Sequence, residues 1–206
     1  MLTVHHLGVS QSERIVWLCE ELGLPYELKL YQREPETGIA PPEYKALHPA
    51  GTAPVIEDGD VTLAESEAVI DYILAVYGNG RLALPADHSR FADYLYWYHF
   101  VNGTLAPAFM MMMAEGQFAQ HMSKRADRGL QMLEDHLAKG NAWLAGDTFT
   151  AADIMMMFPL TTLRYYLDLD LTPYPNMRAY VKRLTERPAF KSARAKADPE
   201  LEVTLD

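Results

Sequence analysis

A chain of 206 residues, 49% apolar and 22% charged, has the composition of a folded protein and the length for one large hydrophobic core or two small ones. Its net charge of -10 lacks the basic surface that a phosphate backbone or an anionic membrane requires, so neither nucleic acid nor membrane is an expected partner. The most apolar run, LAPAFMMMMA at 105–114, is half the ~20 residues of a membrane helix, no secretory signal is read at the start, and one cysteine excludes an internal disulfide and points to the reducing cytoplasm.

LTVHHLG (2–8) alternates as a strand, with Val4 and His6 on one face and His5 and Leu7 on the other. Neighbouring histidines on opposite faces cannot chelate one ion, the other histidines lack ligand spacing, and no metal site is expected. SERIVWLCEELGLP (12–25) predicts a helix with Ile15, Leu18, Cys19 and Leu22 on its apolar stripe and Gly23 near its end. Cys19 therefore reads as a buried structural thiol. YELKLYQ (26–32) predicts a second strand, and the loop-rich stretch 34–49 has room for a short helix at 43–47. APVIE and DVTLA flank Asp58-Gly59, a hairpin signal because that dipeptide accepts positive φ. A helix over 65–77 closes a βαβ(α)ββα order.

GNGRLALPADH (78–88) has the punctuation of a linker, and the chain divides into an α/β domain at 1–79, a linker at 80–88 and an all-helical domain at 89–206. Helical stretches are expected at about 88–114, 117–139, 150–166 and 174–186, with Gly140, Gly146, Pro173 and Pro188 near their ends.

Pro54, in GTAPVIED, reads first as an ordinary loop proline before a strand, with the trans bond that most X-Pro pairs adopt. Because it cannot donate to a ladder, the strand after it needs an irregular start, which can free neighbouring backbone groups for a ligand. Glu65-Ser66 reads two ways. As a helix start, an acid and a hydroxyl satisfy open N–H groups and the dipole. As a binding site, those N–H groups and the hydroxyl take a carboxylate while the glutamate meets an ammonium. In GVSQSER (8–14), Ser12 stands where a helix N-cap is expected. Thr150 and Asp153 in FTAADI (149–154) have capping-box spacing, with Phe149 and Ile154 at staple positions, and read as structural. Four methionines in a row (110–113) turn ~100° each and cover a full helical circumference, so they cannot all face one cavity. These and Met155, Met156 and Met157 read chiefly as core.

SQSER after the first strand, GTAPVIEDGDVTLAESEAVIDYI through the hairpin, and FTAADI in the helical half resemble the cytosolic glutathione S-transferases. HHLGVSQSERIVWLCEELGLPYEL further resembles the serine-type bacterial and fungal members. The resemblance spans both halves and implies a thioredoxin-like βαβαββα domain followed by a helical bundle. It implies a cis bond at Pro54, with the backbone of Ala53 meeting the cysteinyl part of glutathione. It also gives Glu65 and Ser66 the γ-glutamyl ammonium and carboxylate. Ser10, four residues before Arg14, would hydrogen-bond the glutathione sulfur, with Ser12 as the runner-up. No tyrosine or cysteine occupies this loop, which argues against the tyrosine and cysteine types.

Thr52 stands where many relatives carry a lysine for the glycyl carboxylate, and Arg33, Lys45 and His48 are the candidate substitutes. Met110 and Met113 lie in the helix near which the family takes its hydrophobic substrate. The implied activity is addition of the glutathione thiolate to a small apolar electrophile, with hydroperoxide reduction as a variant, in a cytoplasmic homodimer serving detoxification. A non-catalytic binding or regulatory protein on the same fold is the alternative. Ser10 together with Ala53-Pro54 and Glu65-Ser66 favours the enzyme.

Overall fold

Strand β1 (Thr3–Leu7) lies inside a four-stranded sheet of order β2-β1-β3-β4, parallel to β2 (Glu27–Tyr31) and antiparallel to β3 (Val55–Asp58). β3 turns back into β4 (Val61–Ala64), with Asp58 still paired to Val61, so the turn residues are Gly59 and Asp60 and Gly59 takes the positive φ of 60°. Helices α1 (Glu13–Leu22), α2 (Pro42–Lys45) and α3 (Ser66–Tyr77) complete the βαβαββα order. The computed structural model describes residues 1–113 and 117–203; the remaining residues, among them the last of the 88–114 stretch and the end of the 89–206 region, lie outside it.

All five residues of β1 are buried. Leu7 joins Tyr44 of α2, Ala40, Val55 and Ala64 in a cluster on one face, while the other face brings His6 to the loop that starts α1. α1 ends as expected at Gly23, whose φ of 62° only a residue without Cβ adopts cheaply. Its burial goes beyond the predicted stripe: Arg14, Val16 and Trp17 are also enclosed.

Trp17 is covered by a helix that the sequence pattern does not predict, α9 (Pro188–Ala197), while Arg14 is held by Gln11 and Ser66. Phe190 meets Trp17 edge-on at 5.2 Å, Arg187 grips Glu21 through two bonds of 2.6 and 2.8 Å, and Arg194 pairs with Glu13 at 3.0 Å. Pro188 was expected to end a helix. It stands in the first turn of the next one, where its missing N–H has no intrahelical partner to lose. The first compact unit therefore comprises 1–81 and 186–202, so α9 lies with the α/β elements rather than with the helical half where the linear division at 80–88 put it.

The second unit holds α4 (Phe91–Phe100), α5 (Ala106–Met112), α6 (Gln117–Ala138), α7 (Ala151–Leu160) and α8 (Pro175–Glu186). A π-helical turn at Val101–Leu105 divides the first expected stretch, just before Pro107 removes a ladder donor from α5. Met155, Met156 and Met157 are core, at no more than 1% exposure, whereas Met110 and Met113 are exposed on α5 and the turn after it.

Thr150 and Asp153 form the expected capping box. The fully buried Asp153 carboxylate accepts the N–H groups of Leu144 (2.9 Å) and Thr150 (2.8 Å) and the Tyr180 hydroxyl (2.8 Å). Burial outweighs these bonds and pushes its carboxyl up to about 6. A second buried carboxylate, Glu134 of α6, takes the N–H groups of Asn176 and Met177 and so caps the start of α8.

Candidate functional site

Strand pairing gathers the predicted residues of the first unit at one end of its sheet. Val55 pairs with His5 on one side and with Ala64 on the other. The chain after β1, the residues before β3 and the residues after β4 therefore leave the sheet together. They carry Ser10, Thr52-Ala53-Pro54 and Glu65-Ser66. The Ala53-Pro54 bond is cis; Pro54 is buried, Ala53 packs on the Tyr44 cluster, and Thr52 is exposed.

Glu65 precedes α3 with φ 74° and ψ 124°, backbone angles that a side chain rarely adopts, and its carboxylate makes no cap hydrogen bond to the helix. The helix-start reading of Glu65-Ser66 thus has the position but not the bond. Ser66, 2% exposed, points its hydroxyl at the first loop: it donates to Gln11 at 3.3 Å and accepts from Arg14 at 3.2 Å. Arg14 also donates to Gln11. The positive end of α3 is thereby tied to the Ser10 loop through three side chains, and its first N–H groups have no side-chain cap from Glu65.

Ser12 occupies the N-cap position of α1 as expected, yet its hydroxyl makes no cap bond. It is turned toward β1, where it accepts the Leu7 N–H at 3.1 Å and lies 2.9 Å from His6 Nδ1. Ser10 Oγ is 2.8 Å from Ser12 Oγ and accepts the Ser12 N–H at 3.2 Å. Behind them, His6 Nε2 is 3.0 Å from Asp198, whose second oxygen accepts the Val9 N–H. Burial pushes the Asp198 carboxyl up, but the His6 bond and charge, the Val9 N–H and the Arg194 charge outweigh it and hold it below its ordinary value.

Arg33 fixes the loop from outside by donating to the carbonyls of Gly8, Val9 and Gly38. His48 Nδ1 accepts the Ala50 N–H, and Lys45 is exposed with its stem 3.8 Å from where a Cβ on Gly51 would stand. Cys19 is fully buried and its thiol is pushed up to about 12, first by burial and then by the Glu20 charge, so it is no nucleophile at neutral pH. A reactive sulfur at this site has to arrive with a ligand.

Sequence reasoning missed the partnership of His6, Gln11 and Asp198. His6 was visible as the histidine facing away from His5, which is held by Tyr31 and Glu57. Asp198 lies 192 residues from its partner and gave no local signal. In the second unit, α4 and α6 border a groove of about 570 Å³ between Leu95, Tyr96, Phe100, Arg125, Arg128 and Met132.

Comparison with known proteins adds an independent line. The family model described as glutathione S-transferase, N-terminal domain matches residues 10–75, and the C-terminal domain model of the same family matches 116–183. Glutathione S-transferase 3 of Schizosaccharomyces pombe is 33% identical, over 96% of this chain and 88% of its own. Glutathione S-transferase GstB of Escherichia coli is 32% identical, over 88% of this chain and 91% of its own. The crystal structure of a glutathione S-transferase from Actinobacillus pleuropneumoniae superposes with a TM-score of 0.88 at 36% identity, covering 100% of this chain and 95% of that one.

Proposed function

The chain belongs to the glutathione S-transferase family and is a glutathione transferase, and from that premise we propose that Ser10 holds the glutathione thiolate while Ala53, Glu65 and Ser66 hold the tripeptide. The observation that carries this reading is the strand pairing at Val55, which brings the three segments out at one end of the sheet. Glutathione offers a carboxylate and an ammonium on one carbon. The α3 start offers N–H groups for the first, joined by the Ser66 hydroxyl once its proton turns from Gln11 to the ligand, and the exposed Glu65 carboxylate for the second. The backbone of Ala53, beside the irregular start at Pro54, pairs with the cysteinyl amide. That leaves the sulfur for Ser10, with Ser12 one hydrogen bond further in.

A thiol with a pKa of about 8.5 is only about 3% thiolate at pH 7, so a donor that favours the charged form raises the nucleophile directly. The thiolate then adds to a small apolar electrophile; within the second unit, the exposed thioethers of Met110 and Met113 are the soft apolar surface proposed to bind it. Turnover of a generic aromatic electrophile with glutathione is the test. Saturable, Ser10-dependent turnover is expected, and binding of glutathione without turnover would contradict the reading. An organic hydroperoxide is the companion substrate.

Lys45 takes the place of the lysine absent at Thr52. Arg33 already donates to three loop carbonyls, whereas the Lys45 stem reaches along Gly51 beside Thr52. Because Lys45 is exposed, its ion pair with the glycyl carboxylate is worth 1 kcal/mol or less, and Lys45→Ala should raise KM for glutathione about 3- to 5-fold with kcat unchanged. A steady-state titration that finds KM unmoved removes Lys45 from the site.

The α4–α6 groove, with Leu95, Tyr96 and Met132 exposed beside Arg125 and Arg128, supports a homodimer built on this face. Sedimentation at twice the chain mass is expected, and Tyr96→Glu should shift the mass toward the monomer. A single cysteine, buried and unreactive, suits a cytoplasmic enzyme.

A further inference from the structure

Counting protons along the Ser10–Ser12–His6–Asp198 chain shows that it can be polarised in two directions. Asp198 is an acceptor, so His6 Nε2 carries a proton and donates to it at 3.0 Å. With His6 neutral, Nδ1 is bare and accepts the Ser12 hydroxyl proton at 2.9 Å. Ser12 Oγ then has no proton left for Ser10, and the 2.8 Å contact between the two hydroxyls is Ser10 donating inward. In that state Ser10 meets a ligand only as an acceptor. With His6 doubly protonated, Nε2 still donates to Asp198 while the bonds on the serine side reverse: Nδ1 donates to Ser12, Ser12 donates to Ser10 at 2.8 Å in preference to the Leu7 carbonyl at 3.4 Å, and Ser10 donates outward.

We propose that His6 is the resting place of the proton that leaves the glutathione thiol, delivered through Ser10 and Ser12, so that thiolate and outward-donating Ser10 form in one event. This rests on the reading of Ser10 as the group that meets the sulfur. Ser10 Oγ accepts the thiol proton as its own passes to Ser12 Oγ, and Ser12 passes its proton to His6 Nδ1. The S–H bond breaks, an N–H bond forms, both serines stay neutral, and one thiolate and one imidazolium appear together. When the thiolate is consumed, the same path returns the proton to the leaving group or to solvent.

The surroundings suit a buried cation that comes and goes. His6 is 1% exposed, and the Asp198 carboxylate, 8% exposed, is its counter-ion. Among the described residues, charge near this pair comes from Arg194 of α9, bonded to Glu13 of α1, and from Arg33, which donates to the carbonyls of Gly8 and Val9 in the loop that Asp198 holds. His5, Tyr31 and Glu57 occupy the opposite face of β1. His6 touches no substrate atom; it acts through the two serines, which distinguishes it from a purely structural histidine.

The test counts protons. Glutathione is titrated into the whole protein at pH 7 in two buffers of different ionisation enthalpy, and thiolate is measured in the same samples by its ultraviolet absorbance. The wild type is expected to form thiolate while releasing almost no proton, whereas Ser12→Ala and His6→Gln should form less thiolate and release about one proton for each that forms. Circular dichroism reports whether each variant is folded, and if neither is, the wild-type proton count alone decides. About one proton released per thiolate in a wild type whose thiolate depends on Ser10 would overturn the relay and leave the Ser10 assignment standing. Thiolate that persists undiminished in Ser10→Ala would overturn that assignment and the relay with it.

Discussion

Ser10→Ala should lower kcat/KM with a generic electrophile by about 10- to 100-fold at pH 7 while leaving KM for glutathione nearly unchanged. The magnitude follows from what the hydroxyl does. A hydrogen bond to a charged partner is worth about 1.5–3 kcal/mol, and its loss raises the bound thiol's pKa by about one to two units. The thiolate fraction at neutral pH falls in proportion, so the defect should shrink as pH rises and nearly vanish where free glutathione is itself ionised. Ser10 is 5% exposed and its Oγ accepts the Ser12 N–H, so removing one oxygen leaves the loop clamped by Arg33 and Asp198. A general loss of activity with the same pH profile would point to loop collapse instead. A rise in KM alone would make Ser10 a binding group rather than the partner of the sulfur.

The largest effect on stability is expected at Asp153, far from the chemistry in sequence and in role. Asp153→Ala leaves the Leu144 and Thr150 N–H groups and the Tyr180 hydroxyl without their buried acceptor, at about 1–3 kcal/mol each. A total loss on the order of 3–5 kcal/mol, against a typical 5–15 for a whole domain, should appear as a large drop in urea midpoint and in Tm. Asp153 also writes a signature in pH. Its folded carboxyl sits at about 6, above the ordinary value near 3.8, so the folded state holds this proton more tightly. The associated stability is fully present below the unfolded pKa and is lost as pH rises through about 6. Asp153→Asn should flatten that part of the stability profile. Asp198 has the opposite sign, because its carboxyl is held low and its contribution is lost only as pH falls below the ordinary carboxylate range. The two windows do not overlap, so one titration separates them.

Local features were legible in the sequence because local physics decides them. Gly23 ends α1, Gly59 turns the hairpin, and Thr150 and Asp153 box the start of α7. The residues of GTAPVIEDGDVTLAESEAVI lie together because one hairpin carries them all. What failed depended on distant partners. Ser12 was read as a helix cap from its position, but β1 competes for its hydroxyl and wins with His6 and the Leu7 N–H. Pro188 reads equally as a stop and as a start, and only the packing of Phe190 on Trp17 distinguishes them. That packing also explains why Trp17 is buried although it lies off the apolar stripe of α1. Asp198 acquires its role only once α9 has brought the end of the chain beneath the first loop.

Titration of the enzyme-bound glutathione thiol, followed by its thiolate absorbance in wild type and in Ser10→Ala at equal glutathione occupancy, tests the assignment most directly. The wild-type midpoint is expected at least about one unit below 8.5, with the variant returning to about 8.5. Identical midpoints in the two proteins would contradict the assignment of Ser10 to the glutathione sulfur.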